Sequence, residues 1–189
     1  VSNDNGNSWN ERGAVEVPKV VRSFDEHMII EKNNGSLWML LRTKYGIGES
    51  ISTDKGKTWS KLIPSKIKNP SARFFITRLK SGNLLMVENG PIEMKTKRSH
   101  LMAFISQDDG ISWSKGLLID QRLGVSYPDG QETKNRTIFT IYDYNRISNQ
   151  NILFTTYTEK DILANDYDNK TVEIYNNRKT VSKGGATLE

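Results

Sequence analysis

Apolar runs and turn-forming clusters alternate along most of this chain. Stretches rich in Ile, Val, Leu, Phe, Tyr and Thr are punctuated by Gly, Asn, Asp and Ser. That pattern predicts short strands joined by tight turns. A first group opens near Glu26, with strands at His27–Glu31 and Leu37–Leu41 around the turn Asn33-Asn34-Gly35. Asn-Gly between apolar runs is a strong hairpin signal. A third strand covers Gly48–Ser52, and a fourth begins at Thr58-Trp59-Ser60. A second group repeats the order: Arg73–Leu79, the turn Lys80–Asn83, Leu84–Val87, His100–Ile105 and a last strand from Trp113. A third group has Val125–Tyr127, Thr137–Tyr142 and Ile152–Tyr157. Thr158-Glu159-Lys160-Asp161 then reads as a capping box opening a helical turn. Beyond it the chain turns polar, with Thr171–Tyr175 as a candidate closing strand ahead of a tail.

One phrase, S-x-D-x-G-x-[ST]-W, punctuates this series. It occurs at Ser2–Trp9, Ser52–Trp59 and Ser106–Trp113, with the first residues of successive copies roughly fifty apart, the range of repeat architectures. Each copy has a physical reading as a hairpin turn. The Asp accepts hydrogen bonds from turn amides, and the Gly takes a positive φ at little steric cost. The Trp buries a large ring beneath the turn. A role for these Asp residues as metal ligands is the competing reading.

Composition narrows the classes. The 189 residues contain no cysteine, so disulfides and thiolate metal sites are excluded. No run approaches the roughly 20 apolar residues of a membrane span, so no spanning segment is expected. The net charge of +5 biases the protein toward anionic partners such as acidic sugars. The Lys and Arg residues are scattered, however, with no basic helix and no aromatic stripe, so nucleic acid is not an expected partner. Asn34, Asn135 and Asn169 begin glycosylation triplets, which matter only in a eukaryotic secretory pathway.

The repeated phrase resembles the Asp-box, or BNR repeat, of sialidases and related β-propellers. The resemblance covers about residues 1–160. It implies an all-β fold, a β-propeller of four-stranded antiparallel blades, with about three of a sialidase-like parent's six blades present. In that family the box joins the third and fourth strands of a blade, on the face opposite the active site. The implied divisions are 1–22, the last strand of a preceding blade with its box; 23–66 and 67–120, two blades with boxes; 121–162, a last blade without one; and 163–189, a closing strand or polar tail. Because the chain opens inside a box, an N-terminal half of the propeller is expected upstream. Secreted, periplasmic or cell-surface location is what the resemblance favours for the parent.

If the boxes mark the bottom, the top receives the starts of first strands and the ends of second strands. Charged and aromatic residues gather at those positions: Glu26 and Arg42; Arg73 and Arg98; Tyr127, Asp129, Asp143, Tyr144 and Arg146. Convergent polar groups in a concave site are the default active-site hypothesis. Sialidases carry a Glu, an Arg, a second Arg and a Tyr in this order across their later blades, and Glu26, Arg42, Arg98 and Tyr127 match it. The resemblance makes Tyr127 the nucleophile, Glu26 its base, and Arg42 and Arg98 ligands of a sugar carboxylate. The chemistry suits these types. Arg binds a carboxylate bidentately with a charge that does not titrate. A neutral Tyr avoids the repulsion that a carboxylate nucleophile would meet beside an acidic sugar, and sialidases are the Tyr exception among glycosidases. Arg73, Asp129, Asp143, Tyr144 and Arg146 are the further substrate-binding candidates.

Each residue has a plainer alternative. Arg42 can simply pair with Glu26 or Asp143, Arg98 can be a solvated loop residue, and Tyr127 a core aromatic. Asp129 lies in an ordinary Pro-Asp-Gly turn, and His100 reads as a strand residue rather than a base. The expected function is a sialidase-like glycoside hydrolase acting on a terminal acidic sugar without metal or other cofactor. The alternative is a non-catalytic carbohydrate-binding or scaffold propeller. The family's acid/base Asp and first Arg lie in early blades, so this chain alone is expected to be inactive.

Overall fold

The computed structural model describes residues 1–164 and 167–184. Three four-stranded antiparallel sheets account for its strands, with two helices near the C-terminal end. The chain divides into two compact units, residues 1–65 and 66–189.

The first unit holds one sheet in simple up-and-down order. Its strands are β1 (Arg22–Glu31), β2 (Leu37–Thr43), β3 (Gly46–Ser52) and β4 (Ile63–Pro64). The predicted Asn-Gly turn joins β1 to β2, with Gly35 at φ +80°. β2 is buried along almost its whole length. The first box, Ser2–Trp9, forms the same turn as the others, but no strand follows it before Arg22 and Trp9 is 75% exposed. The last strand expected within 1–22 is therefore not formed. Such a strand bonds only to the third strand of its own sheet, and the backbone bonds seen here are instead from Gly13 N to Gly56 O and from Lys44 N to Val21 O.

The second unit holds two sheets. One contains β5 (Phe75–Arg78), β6 (Leu84–Asn89), β7 (Leu101–Ser106) and β8 (Leu117–Asp120), again in chain order. Its central strands are buried on both faces: Leu84, Leu85, Met86, Val87, Leu101 and Ala103 are all inaccessible. That explains why β6 and β7 read as continuous apolar runs rather than alternating ones. The other sheet contains β9 (Val125–Glu132), β10 (Thr137–Tyr144), β11 (Asn151–Thr158) and β12 (Lys179–Lys183). Helix α1 (Glu159–Leu163) and helix α2 (Tyr167–Asn177) lie between β11 and β12. The capping box is formed: Thr158 Oγ1 accepts from Asp161 N, and the Asp161 carboxylate accepts from Thr158 N.

Two expectations fail here. Thr171–Tyr175 is not a strand but part of α2, whose Ile174 is buried, and Lys179–Lys183 pairs with β11 instead. The fourth strands begin a few residues after Trp59 and Trp113, at Ile63 and Leu117, because Ser60 and Ser114 accept from Ile51 N and Ile105 N through their side-chain oxygens instead of through a backbone ladder.

The boxes at 52–59 and 106–113 each join a third strand to a fourth. In the former, Ser52 Oγ donates to Asp54 Oδ1 at 2.8 Å and accepts from Gly56 N at 2.8 Å. Asp54 also accepts from Thr58 N and Thr58 Oγ1, at 2.9 and 2.6 Å. Ser106, Asp108, Gly110 and Ser112 repeat this set, as do Ser2, Asp4, Gly6 and Ser8. Lys55 and Gly56 both have positive φ, as do Asp109 and Gly110. The hydrogen bonds from the box hydroxyls and amides hold Asp4, Asp54 and Asp108 at pKa values of about 2. These carboxylates are committed to the turn, and no cluster of potential metal ligands occurs among the described residues.

Candidate functional site

In the first unit the strand β1 is deformed where the site residues lie. Arg22 pairs with Thr43 and His27 with Leu41, so Ser23–Glu26 together face Arg42. Asp25 adopts a left-handed φ of +51° within this bulge. Bulges re-aim side chains, and they are enriched beside active sites. Here the bulge brings the Glu26 carboxylate to 2.9 Å from Arg42 Nη1. The Arg42 guanidinium is almost wholly buried and also lies over the Phe24 ring, 4.4 Å from its centroid. The pairing of Arg42 with Glu26, held open by the sequence, is thus realised.

The second unit repeats the device at Tyr127. Asp129 pairs with Ile141 and Ser126 with Asp143, so Tyr127 and Pro128 together face Tyr142. Tyr127 has φ +53°. A left-handed conformation costs a non-glycine residue roughly 1–2 kcal/mol, and it turns the half-buried Tyr127 out of the alternation of β9. Two guanidinium groups lie over its ring, Arg146 at 4.5 Å and Arg98 at 5.5 Å from the centroid. Backbone bonds fix this end of the sheet: Gly124 N donates to Arg98 O at 2.8 Å, and Asn145 N to Gly124 O at 2.9 Å.

A polar chain links the two arginines. Arg98 Nη1 donates to Ser126 Oγ at 3.4 Å, and Ser126 Oγ donates to Asp143 Oδ1 at 2.7 Å. The other Asp143 oxygen stands 3.8 Å from Arg146 Nε. Arg98 also donates to Ser71 O at 3.3 Å, and it makes no ion pair among the described residues. Tyr127, Asp143 and Arg146 line a cleft of about 400 Å³ with Ile141, Tyr142 and Ile152. That volume falls within the range of small-molecule sites.

The remaining candidates are placed less directly. Arg73 pairs with Asp129 at 2.8 Å across 56 residues of sequence, so each already has an opposite charge. Tyr144 packs beneath Arg122, whose guanidinium lies 3.8 Å from the ring centroid. His100 precedes β7, is exposed, and has a φ of +52° rather than a strand conformation.

Sequence reasoning overlooked a buried ionic cluster behind Tyr144. The Asp120 side chain is 1% exposed and accepts from Arg122 and Arg178, both at 2.6 Å, and from Tyr142 Oη at 3.0 Å. Burial works to raise the Asp120 pKa, but hydrogen bonds from Arg122 and the charge of Arg178 more than offset it, leaving it lowered. Burial, with the Asp120 charge, pushes the Tyr142 phenol up. The cluster fastens the residue after α2 to β8. No local signal joins residues 120 and 178.

A model of the BNR repeat-like domain matches residues 1–140. The chain belongs to the BNR repeat-like domain family. No curated protein gave a match. Among solved structures, the intramolecular trans-sialidase from Ruminococcus gnavus, in complex with oseltamivir carboxylate, is similar to this BNR repeat-like chain with a TM-score of 0.66 and 22% identity, covering 86% of this chain and 38% of that one. A leech intramolecular trans-sialidase complexed with 2,7-anhydro-Neu5Ac has a TM-score of 0.65 and 20% identity, over 86% of this chain and 27% of that one. A protein of unknown function from Dyadobacter fermentans has a TM-score of 0.58 and 21% identity, over 76% and 40%. The BNR repeat-like chain thus spans well under half the length of these structures, and the likeness is one of fold: its sheets match sialidase-like propeller blades. No helix among the described residues is long and apolar enough to cross a membrane.

Proposed function

We propose that this chain supplies the later blades of a sialidase-like six-bladed propeller, and with them one part of a glycosidase site for a terminal acidic sugar. Its divisions would be those read from the boxes, with blades at 23–66, 67–120 and 121–162. The remaining blades would come from polypeptide outside these residues. The apolar outer face of the last sheet supports this, since Phe139 and Phe154 stack at 5.9 Å there beside the exposed Ile141 and Ile152.

Tyr127 carries the reading: a tyrosine in a strained bulge, beneath an arginine that has no carboxylate partner among the described residues. In the proposed reaction Tyr127 Oη gives its proton to Glu26 and attacks the anomeric carbon. The glycosidic bond breaks, the aglycone leaves with a proton from an acid on an earlier blade, and water later releases the sugar from tyrosine. Arg98 and Arg42 would hold the sugar carboxylate. Arg73, Asp129, Asp143 and Tyr144 would border the sugar, and Arg146 would stand against the Tyr127 ring.

The test is hydrolysis of 4-methylumbelliferyl sialoside by the polypeptide that carries all the blades. The expected result is turnover that Tyr127→Phe abolishes, with none from the 189-residue chain alone. Turnover undiminished in Tyr127→Phe would overturn the assignment. A binding or scaffold role is favoured by a different observation, the pairing of Arg42 with Glu26 and of Arg73 with Asp129. That role predicts saturable sialoside binding, or none, and no turnover.

A further inference from the structure

We infer that Arg146, anchored by Asp143, is a positioning residue that clamps Tyr127 in its left-handed backbone conformation. The inference rests on Tyr127 being the nucleophile proposed above. Its basis is geometric. An aromatic residue at φ +53° persists only where its surroundings over-determine it. The guanidinium of Arg146 provides one such constraint, lying over the ring at 4.5 Å. A planar guanidinium stacks on an aromatic face, which an ammonium cannot reproduce.

Arg146 is half exposed, so a fixed position over the Tyr127 ring calls for an anchor. Asp143 is that anchor, itself buried and fixed by Ser126 Oγ. Because Ser126 also accepts from Arg98, both guanidinium groups over Tyr127 are referred to one carboxylate. The ring is thereby held against two supports that share a base. The clamp sets where Tyr127 Oη points. It acts on the nucleophile rather than on the sugar, so it governs kcat rather than KM.

Two measurements test this. In the polypeptide carrying all the blades, Arg146→Ala should lower kcat on 4-methylumbelliferyl sialoside about 10- to 100-fold, the scale of a small misplacement of a reacting group. KM should stay within about twofold, and Arg146→Lys should not restore kcat. A rise in KM with kcat unchanged would make Arg146 a sugar contact and overturn the clamp. The second measurement needs no activity. In the 189-residue chain, the Arg146 side-chain protons should be shifted upfield by the Tyr127 ring and lose that shift in Tyr127→Leu. Tyr127→Gly should also melt above Tyr127→Ala, because glycine takes a left-handed φ without strain. Unshifted Arg146 protons, or Ala melting at or above Gly, would refute the clamp. An inactive parent with the upfield shift present refutes the glycosidase reading and leaves the clamp standing. An active parent without the shift does the reverse.

Discussion

Replacing Glu88 with methionine should stabilise the protein, and more strongly at neutral than at acidic pH. Glu88 lies on β6, is 0% exposed, and neither carboxyl oxygen has a hydrogen-bond partner among the described residues. Burial raises its pKa well above the ordinary carboxylate value. In the unfolded chain it titrates near 4.3. Below about pH 4 both states hold the proton and its titration contributes nothing. As pH rises past the unfolded value, the unfolded chain releases the proton while the folded chain retains it. Stability therefore falls by about 1.4 kcal/mol per pH unit until the raised folded pKa is reached.

Methionine removes both penalties. It is unbranched, of similar length, and adapts to irregular packing. Relief from burying an unpartnered polar group is worth about 1–3 kcal/mol at any pH, and the titration adds to it above pH 4. Urea unfolding at pH 4, 5, 6 and 7 would read both parts. The expected result is a Glu88→Met advantage of about 1 kcal/mol or more at pH 4 that widens toward pH 7. Glu88→Gln should show the same pH slope but a smaller advantage at pH 4, because its amide is equally unpartnered. A flat difference across the series, or a loss of stability in Glu88→Met, would refute the reasoning, since either implies a partner for the carboxylate.

Other predictions concern the ionic cluster, the boxes and their independence from metal. Asp120→Asn should cost about 3 kcal/mol in urea unfolding, because it strands the largely buried Arg178 guanidinium, and should speed proteolysis around α2; an unchanged midpoint would rule out the cluster as a fastening. Asp108→Ala should lower the melting temperature at pH 6, and the gap should close as pH falls toward 2. A carboxylate whose pKa is depressed contributes stability above its unfolded value and loses it on protonation at about 2; a gap that persists at pH 2 counts against the hydrogen-bond account. EDTA should leave the melting temperature unchanged within error, and a fall reversed by calcium would revive the metal reading of the boxes.

The parts that were legible in the sequence depend on short-range chemistry. Ser52, Asp54, Gly56 and Thr58 bond to one another within a few residues, so the box can be read without knowing what surrounds it. The same holds for Thr158 capping α1 with Asp161. The missed features are set by register between strands. Tyr127 belongs to a bulge only because Ser126 faces Asp143 while Asp129 faces Ile141, and neither residue announces that pairing. β12 was illegible for a different reason. Lys179–Lys183 is exposed throughout and has no apolar face to signal a strand, whereas Thr171–Tyr175 carries β-branched residues but packs as a helix through Ile174.

The charges sharpen this distinction. A net +5 suggests arginines awaiting an anion, but most of them already have a carboxylate partner that an incoming anion would have to share or displace. Arg42 is closed by Glu26, Arg73 by Asp129, Arg78 by Asp109, and Arg122 and Arg178 by Asp120. An arginine already bonded to a carboxylate binds a second anion only by sharing or exchanging that partner, and the exchange costs most where the pair is buried. Arg98 differs, since its recorded partners are a hydroxyl, a carbonyl and the Tyr127 ring, none of which neutralises it. Any capacity of these sheets to attract an acidic ligand would therefore depend on local pairing rather than net charge. Under the proposed function it would concentrate at Arg98, beside the strained tyrosine on which the chemistry depends.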